Sequence, residues 1–239
     1  MATKKIKINR APVMTLWAAV VAERLGYDRE TALTLGKGVA GLNAQSKGRR
    51  LGIFEEGVTL LRRLWTEPEV TFSGRHFQLQ EVRLGLRPYR PTGIPLWLAG
   101  SIENAQRRVL RLGDGWFPNP PSPQVFAQGW EQLQELAQAA GQDVQALHRC
   151  VYTTLNINHN VAQAEHEARA FIEGYYGTSY EAMVRTQGVC AGPAERCVAW
   201  LNEFIAAGAQ TLVLRFGGPD QMGQLERCAR EVLPHVHLS

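Results

Sequence analysis

The chain contains 239 residues, of which 45% are hydrophobic and 20% are charged. These values are close to the average of folded globular proteins. They exclude a fibrous repeat or wholesale disorder and predict one domain, or one domain with a small appendage. The formal net charge of +4 comes partly from basic residues near the start and from residues 47–50. The remainder is nearly balanced, so charge gives little support to nucleic-acid binding.

Cysteine spacing and hydropathy argue against two further classes, metal proteins and membrane proteins. The four cysteines form no C-x-x-C pair and have no histidine at a metal-site spacing, so we expect reduced core residues and no metal. The apolar run from Val13 to Ala22 is ten residues long, whereas a bilayer span needs roughly 20. We therefore predict a cytoplasmic protein without a membrane segment.

Apolar residues recur at helical spacing near the start of the chain. Two amphipathic helices are predicted within Pro12–Ala44, the first stopping at Gly26 and the second capped by Asp28. Such a pair can be interpreted as a helix-turn-helix that reads DNA or as a packing hairpin. The packing hairpin is favoured because the second helix lacks an exposed row of base-reading side chains.

A third helix and a small hairpin follow. The apolar stripe predicts a helix over Ile53–Thr66, which Pro68 ends. Two short β-like runs, Val70–Phe72 and His76–Leu79, are predicted to pair around Ser73-Gly74, because glycine supplies the unusual backbone angles of a tight turn.

From residue 94 onward, apolar strand-like runs alternate with helical patterns. Strands that are apolar throughout are buried on both faces, which predicts an α/β protein with a parallel sheet covered by helices. A complete (β/α)₈ barrel contains eight such units in about 250 residues, so the units found here predict half a barrel. The predicted strands are Ile94–Ala99, Asp114–Phe117, Cys150–Asn158 and Thr211–Phe216.

Five segments carry a family resemblance through their order and spacing. They read EGVTLLRRLWTE, VTFSGRHFQLQEVRLGLRP, IPLWLAGS, RLGDGWFP and AGAQTLVLRF. In this order they resemble the C-terminal half of luciferase-like, flavin- or deazaflavin-dependent (β/α)₈-barrel oxidoreductases. The resemblance covers about residues 48–234 and leaves residues 12–44 unassigned. It implies a helical segment at residues 1–47, a half-barrel domain at residues 48–239, and no N-terminal half of the barrel.

The resemblance also implies a cofactor, FMN or the deazaflavin coenzyme, that supplies the hydride chemistry, so no catalytic residue is assigned. Gly100-Ser101 is expected to contact the cofactor phosphate, because free N–H groups and the dipole at a helix start attract anions. Gly192 matches a family position near the phosphate tail, and Arg215 lies at a strand end where barrels often bind phosphate.

Each of these positions also has a purely structural interpretation. Ser101 suits a helix N-cap, Pro193 after Gly192 suits the first position of a helix, and Arg215 suits a solvated strand end. Asp114 and Trp116 are typical of the family, and we assign them to strand-end hydrogen bonding and packing rather than to catalysis.

Two functions follow from the resemblance. The first is an oxidoreductase or monooxygenase that acts on an organic small molecule. The alternative is a non-catalytic, vestigial half-barrel that serves folding or association, because the expected missing half builds much of the cofactor pocket. We also predict a homodimer, since an open arc of strands leaves two edges and a concave face to be covered.

Overall fold

The computed structural model describes residues 47–237, with side chains from residue 51 onward. The two helices predicted within residues 12–44 lie outside the described residues. The described chain divides into two compact units, one ending at Ile94 and the other beginning at Pro95. Between residues 47 and 237 there are seven α-helices and seven strands.

The first unit contains helix α1 (Lys47–Thr66) and an antiparallel hairpin of β1 (Val70–Ser73) and β2 (Gln78–Val82). The predicted helix and hairpin are confirmed, although the helix begins at Lys47 rather than at Ile53, and β2 spans Gln78–Val82 rather than His76–Leu79. The amides of His76 and Phe77 donate to the Glu56 carboxylate of α1 over 2.9 and 2.7 Å instead of joining the strand ladder. The turn is thus fastened to the helix.

The second unit alternates strands with helices. Its elements are β3 (Trp97–Leu98), α2 (Glu103–Leu112), β4 (Gly115–Trp116), α3 (Pro123–Ala139), β5 (His148–Ile157), α4 (Val161–Tyr176), α5 (Tyr180–Val184), β6 (Val189–Gly192), α6 (Ala194–Ala206), β7 (Thr211–Phe216), α7 (Gln221–Arg227), a π-helical turn (Cys228–Val232) and a 3₁₀ turn (Leu233–His235).

All strand pairs of the second unit are parallel, and the long strand β5 is their centre. Thr154 pairs with Val189 of β6 and with Arg215 of β7, so these strands lie on opposite edges of β5. β4 pairs with the start of β5 and β3 pairs with β4. The sheet is a curled parallel half-barrel, which confirms the predicted α/β class and the four predicted strands as neighbours.

The structure differs from the predicted strands in two places. β3 covers only Trp97–Leu98, because Pro95 has no N–H to donate and Gly100 leaves the extended conformation with φ +143°. Strand β6 was missed, because its sequence of small residues, VCAG, carries no strand pattern and directly precedes Pro193. Helix α5, of five residues, was missed as well.

The core of the second unit lies between the sheet and its helices. Large side chains from β4, α3 and α6 are fully buried there, among them Trp116, Phe126, Leu133 and Phe204. The expectation of reduced, buried cysteines is confirmed, since all four are free and buried. No helix among the described residues is long and apolar enough to cross a membrane.

Candidate functional site

The predicted site residues lie at the carboxyl ends of the parallel strands. Gly100 and Ser101 follow β3, Gly192 ends β6, and Arg215 is the second-last residue of β7. Ligands of parallel α/β folds bind at this edge of the sheet. The residues are not adjacent to one another, because β4 and β5 separate β3 from β7. At about 4.8 Å per strand, that separation is roughly 14 Å, the scale of an extended cofactor rather than of a single anion.

Ser101 has a free hydroxyl beside the start of helix α2. The N-cap position is Ile102, in extended conformation and without a side-chain cap, so the interpretation of Ser101 as the N-cap is wrong. Ser101 is exposed, and its hydroxyl has no hydrogen-bond partner among the described residues. The amides of Glu103 and Asn104 are also without a partner in that part of the chain, since the first helical bonds come from Ala105 and Gln106. A phosphate would meet free donors here.

One charge at this helix start works against an anion. Glu103 lies in the first turn of α2 and pairs with Arg107 at 2.7 Å. Both side chains are about half exposed, so solvent screens the pair and the arginine offsets most of the carboxylate charge. An anion at this helix start would therefore meet mainly the unpaired N–H and hydroxyl donors.

Gly100 is required by the backbone. Its φ of +143° is one that side chains disfavour, and a Cβ atom there would overlap the Cβ atom of Ala105. Its carbonyl oxygen accepts a hydrogen bond from the indole N–H of Trp116 at 2.8 Å, while Asp114 accepts the amide of Leu96 at 2.7 Å. The assignment of Asp114 and Trp116 to packing and strand-end hydrogen bonding is confirmed.

A cavity of about 190 Å³ adjoins this loop. Ser101 and Trp116 form part of its wall, together with Gly129 of α3. Behind Gly129, the fully buried Gln106 donates to the Gly129 carbonyl at 2.8 Å, and its own side-chain oxygen has no partner. The remaining wall residues are Pro118, Pro120, Val125, Gln128 and Gln132.

Gly192 lies at a second helix start. Its φ is +147°. Pro193 is the N-cap of α6, so the interpretation of Pro193 as the first helical residue is wrong by one position. The amides of Ala194 and Glu195 have no hydrogen-bond partner among the described residues. This position therefore offers backbone donors similar to those after β3.

Arg215 lies in a cage of aromatic rings. Its guanidinium carbon is 5.3–5.4 Å from the ring centroids of Tyr152, Phe171, Tyr175 and Tyr176. The alternative of a freely solvated arginine is therefore wrong. We call Arg215 with these four rings the arginine cage.

Hydroxyl groups hold the guanidinium in place. Its Nε and Nη2 atoms donate to the hydroxyl of Thr154 at 3.0 and 2.7 Å, and Nη1 donates to the hydroxyl of Tyr176 at 2.8 Å. The Tyr176 hydroxyl donates in turn to Gln187 at 2.8 Å, and Gln187 accepts a second bond from Asn119 at 3.0 Å. The chain of contacts runs from β7 to the loop after β4.

Sequence reasoning found Arg215 but none of its partners. The partners are distant in sequence, 39 residues away for Tyr176 and 61 for Thr154. One signal was available on strand β5. Tyr152, Thr154 and Asn156 place polar groups at every second position of β5, which indicates a polar face opposite the helix-packed core, although Thr153 is polar as well.

Asn156 marks a further polar cluster at the end of β5. Its side-chain amide donates to Glu167 at 2.9 Å and to the Gly217 carbonyl at 2.8 Å, while its oxygen, fully buried, has no partner. The hydrogen bonds from Asn156 and Gln163 lower the pKa of Glu167. No group of three His, Cys, Asp or Glu side chains suited to a metal occurs in the described part of the chain.

Comparison with known proteins identifies the family of this fold. The model of a family described as luciferase-like monooxygenase matches residues 8–222. The match includes residues 12–44, which the five-segment resemblance had left unassigned.

Several curated relatives carry the name F420-dependent glucose-6-phosphate dehydrogenase. The protein from Intrasporangium calvum is 25% identical over 82% of this chain, which spans only 64% of that relative's length. The protein from Amycolatopsis mediterranei is 22% identical, and the alignment covers 98% of this chain and 80% of the relative.

Solved structures share the fold. An F420-dependent secondary alcohol dehydrogenase in complex with an F420–acetone adduct superposes with a TM-score of 0.67 at 20% identity, covering 81% of this chain and 64% of that one. The monooxygenase RslO1 from Streptomyces bottropensis gives a TM-score of 0.62 at 17% identity, covering 80% and 63%.

Proposed function

The chain belongs to the luciferase-like monooxygenase family, and we propose that it is an oxidoreductase that uses FMN or a deazaflavin coenzyme to act on an organic small molecule. The family match carries this proposal, since it covers residues 8–222. Relatives named for F420-dependent dehydrogenation and a fold neighbour named a monooxygenase support both cofactor types. Separate titrations with FMN and with F420 would distinguish the two cofactors.

The residues at the carboxyl edge fit a phosphorylated cofactor. Ser101 supplies a free hydroxyl beside unpaired helix-start amides, Gly192 precedes a second set, and Arg215 supplies a positive charge. Gly100 lets the backbone adopt the conformation that leads into the first helix start, since a Cβ atom there would overlap Ala105. These four residues would hold the cofactor, and the cofactor when bound supplies the hydride chemistry.

The chain's own contribution is to bind and orient. Trp116 fixes the Gly100 carbonyl, which fixes the direction of the amides that follow it. Gln187 and Asn119 tie the loop after β4 to the segment before β6. We propose a cytoplasmic location as well, because the four buried free thiols suit a compartment that keeps cysteine reduced.

A pair of ligands that differ only in a phosphate tests the proposal. We expect FMN or F420 to quench the tryptophan fluorescence of the purified protein in a saturable titration. Ser101→Ala should weaken the binding of FMN about fivefold, the equivalent of one hydrogen bond of about 1 kcal/mol, and leave riboflavin binding unchanged. Ser179→Ala is the matched control, because the Ser179 hydroxyl caps α5 and is not part of the proposed site.

The alternative function makes the opposite prediction. A non-catalytic half-barrel would bind neither FMN nor F420 at micromolar concentration while keeping a native near-ultraviolet spectrum. That outcome would remove the oxidoreductase proposal and favour a role in folding or association.

A further inference from the structure

We propose that the arginine cage is a receptor for an oxyanion, either a phosphate or a carboxylate, carried by a small-molecule ligand. The inference deepens the proposed function and rests on it for the identity of the ligand. Inorganic phosphate alone tests the receptor itself.

The charge of Arg215 is not neutralised. Its hydrogen bonds go to the hydroxyls of Thr154 and Tyr176, and no carboxylate among residues 51–237 forms an ion pair with it. The surrounding rings attract the cation through their quadrupoles but carry no charge of their own. Burial raises the pKa of Tyr152, so this phenol stays protonated and adds no negative charge. A half-enclosed cation thus remains available to an anion.

Another arginine of the same unit combines an aromatic contact with acidic partners. Arg169 lies over the ring of Tyr180 at 4.8 Å, as Arg215 lies over its rings. Arg169 also pairs with Glu173 at 3.5 Å and with Glu181. Arg169 therefore has both an aromatic contact and a carboxylate partner, whereas Arg215 has aromatic contacts but no carboxylate partner among residues 51–237.

The hydrogen bonds of Arg215 leave donors unused. One N–H on each of its three nitrogens is engaged, so each terminal nitrogen keeps a second N–H without a partner in the described residues. Thr154 is fully buried and takes two of the engaged groups, which fixes the plane of the guanidinium. A fixed guanidinium with N–H groups on both terminal nitrogens suits carboxylate and phosphate oxygens.

The position of the cage suits a ligand. Arg215 lies at the carboxyl edge of the sheet, where Leu212, Leu214 and Phe216 of the same strand pack into the helix-covered core and Arg215 points to the other face. The four rings displace water from the sides of the guanidinium, and an ion pair is stronger where water is displaced.

Phosphate titration of matched variants tests the receptor. We expect inorganic phosphate and acetate to bind the wild-type protein, measured by calorimetry, and Arg215→Gln to weaken both at least tenfold. Arg149→Gln is the control, because Arg149 lies over the ring of Trp130 at 5.1 Å but stands at the amino end of β5. Unaltered anion affinity in Arg215→Gln, or no saturable anion binding by the wild type, would overturn the proposal.

A second variant covers the case in which Arg215→Gln folds poorly. Tyr176→Phe keeps the ring and removes the hydroxyl that orients Nη1. It should weaken phosphate binding about threefold to tenfold with an unchanged near-ultraviolet spectrum. The proposal would be overturned if Tyr176→Phe and an Arg215→Lys variant both bound phosphate as tightly as the wild type. That result would show that a fixed guanidinium at Arg215 does not bind the anion.

FMN and riboflavin identify the source of the oxyanion. FMN carries one phosphate, so if that phosphate binds at Arg215, Arg215→Gln weakens FMN but not riboflavin binding, and Ser101→Ala leaves FMN binding unchanged. If it is a substrate group, FMN affinity stays constant and phosphate binds the FMN-loaded protein through Arg215; both results support the receptor. Phosphate binding through Arg215 with no binding of FMN or F420 would sink the oxidoreductase proposal and leave the receptor standing.

Discussion

The indole N–H of Trp116 donates a hydrogen bond to the carbonyl oxygen of Gly100, 2.8 Å away. The Trp116 ring itself stacks with the rings of Phe126 and Trp130, at centroid distances of 5.1 and 6.2 Å. The buried aromatic cluster of the second unit therefore reaches, through one hydrogen bond, the loop that would receive a cofactor phosphate.

Replacing Trp116 by phenylalanine should affect stability and ligand binding together. We expect the free energy of unfolding to fall by roughly 2 kcal/mol, from the lost hydrogen bond and the smaller ring, and FMN affinity to fall as the loop loosens. Trp130→Phe is the control, since the Trp130 indole forms no hydrogen bond to the loop. It should lose stability but keep FMN affinity; equal losses of affinity in both variants would contradict the role given to the bond.

Gly100→Ala should destabilise the fold independently of any ligand. A positive φ costs a side-chain-bearing residue about 1–2 kcal/mol, and the new Cβ would also overlap Ala105. Gly141→Ala is the control, because Gly141 has φ +65° but no atom within 4 Å of the added Cβ. We expect a clearly larger loss for Gly100→Ala in chemical denaturation, partly recovered in Gly100→Ala/Ala105→Gly. No recovery would mean that the backbone angle alone causes the loss.

The buried thiols should make stability fall at alkaline pH. Burial raises the pKa of the Cys150 thiol to about 12, whereas an unfolded cysteine titrates near 8.5. Below pH 8.5 both states hold the proton. Above it only the unfolded chain loses it, and stability drops by up to about 1.4 kcal/mol per pH unit. Cys150→Ala should show a shallower decline between pH 9 and 11, after its own loss at pH 7 is subtracted; identical slopes would contradict the burial effect.

We predict that the protein is a homodimer. Within the described residues, β7 pairs only with β5, so its six residues present an unpaired edge. Unpaired edges are templates for association, and two-fold assembly is the commonest form among soluble oligomers. Light scattering at micromolar concentration should give twice the chain mass. A monomer mass with a native spectrum would show that the edge is covered within one chain.

The sequence predicted the elements that local patterns define. Strand β7 is predicted at Thr211–Phe216, because a mostly apolar run lies between Gly208 and Gly217. Both ends of β3 differ from the predicted strand, since an apolar run does not reveal where the partner strand begins and stops. The arginine cage could not be predicted either, because it joins residues of β5, α4 and β7 that only the folded sheet brings together.

The hydrogen bonds along one edge of strand β5 also affect the loop after β4. Along one edge of β5, Tyr152 still donates to Pro118, but the next amide on that edge, Thr154, donates to Gly188 just before β6. Strand β6 thus takes over hydrogen bonding that a longer β4 would otherwise provide. The segment after Pro118 is released from the sheet, which explains how prolines without an N–H are tolerated there. Residues 120–121 can accordingly vary without breaking a strand pair, whereas Ser122 is held as the N-cap of α3. The lip of the cavity beside Ser101 can therefore be reshaped while the sheet stays intact.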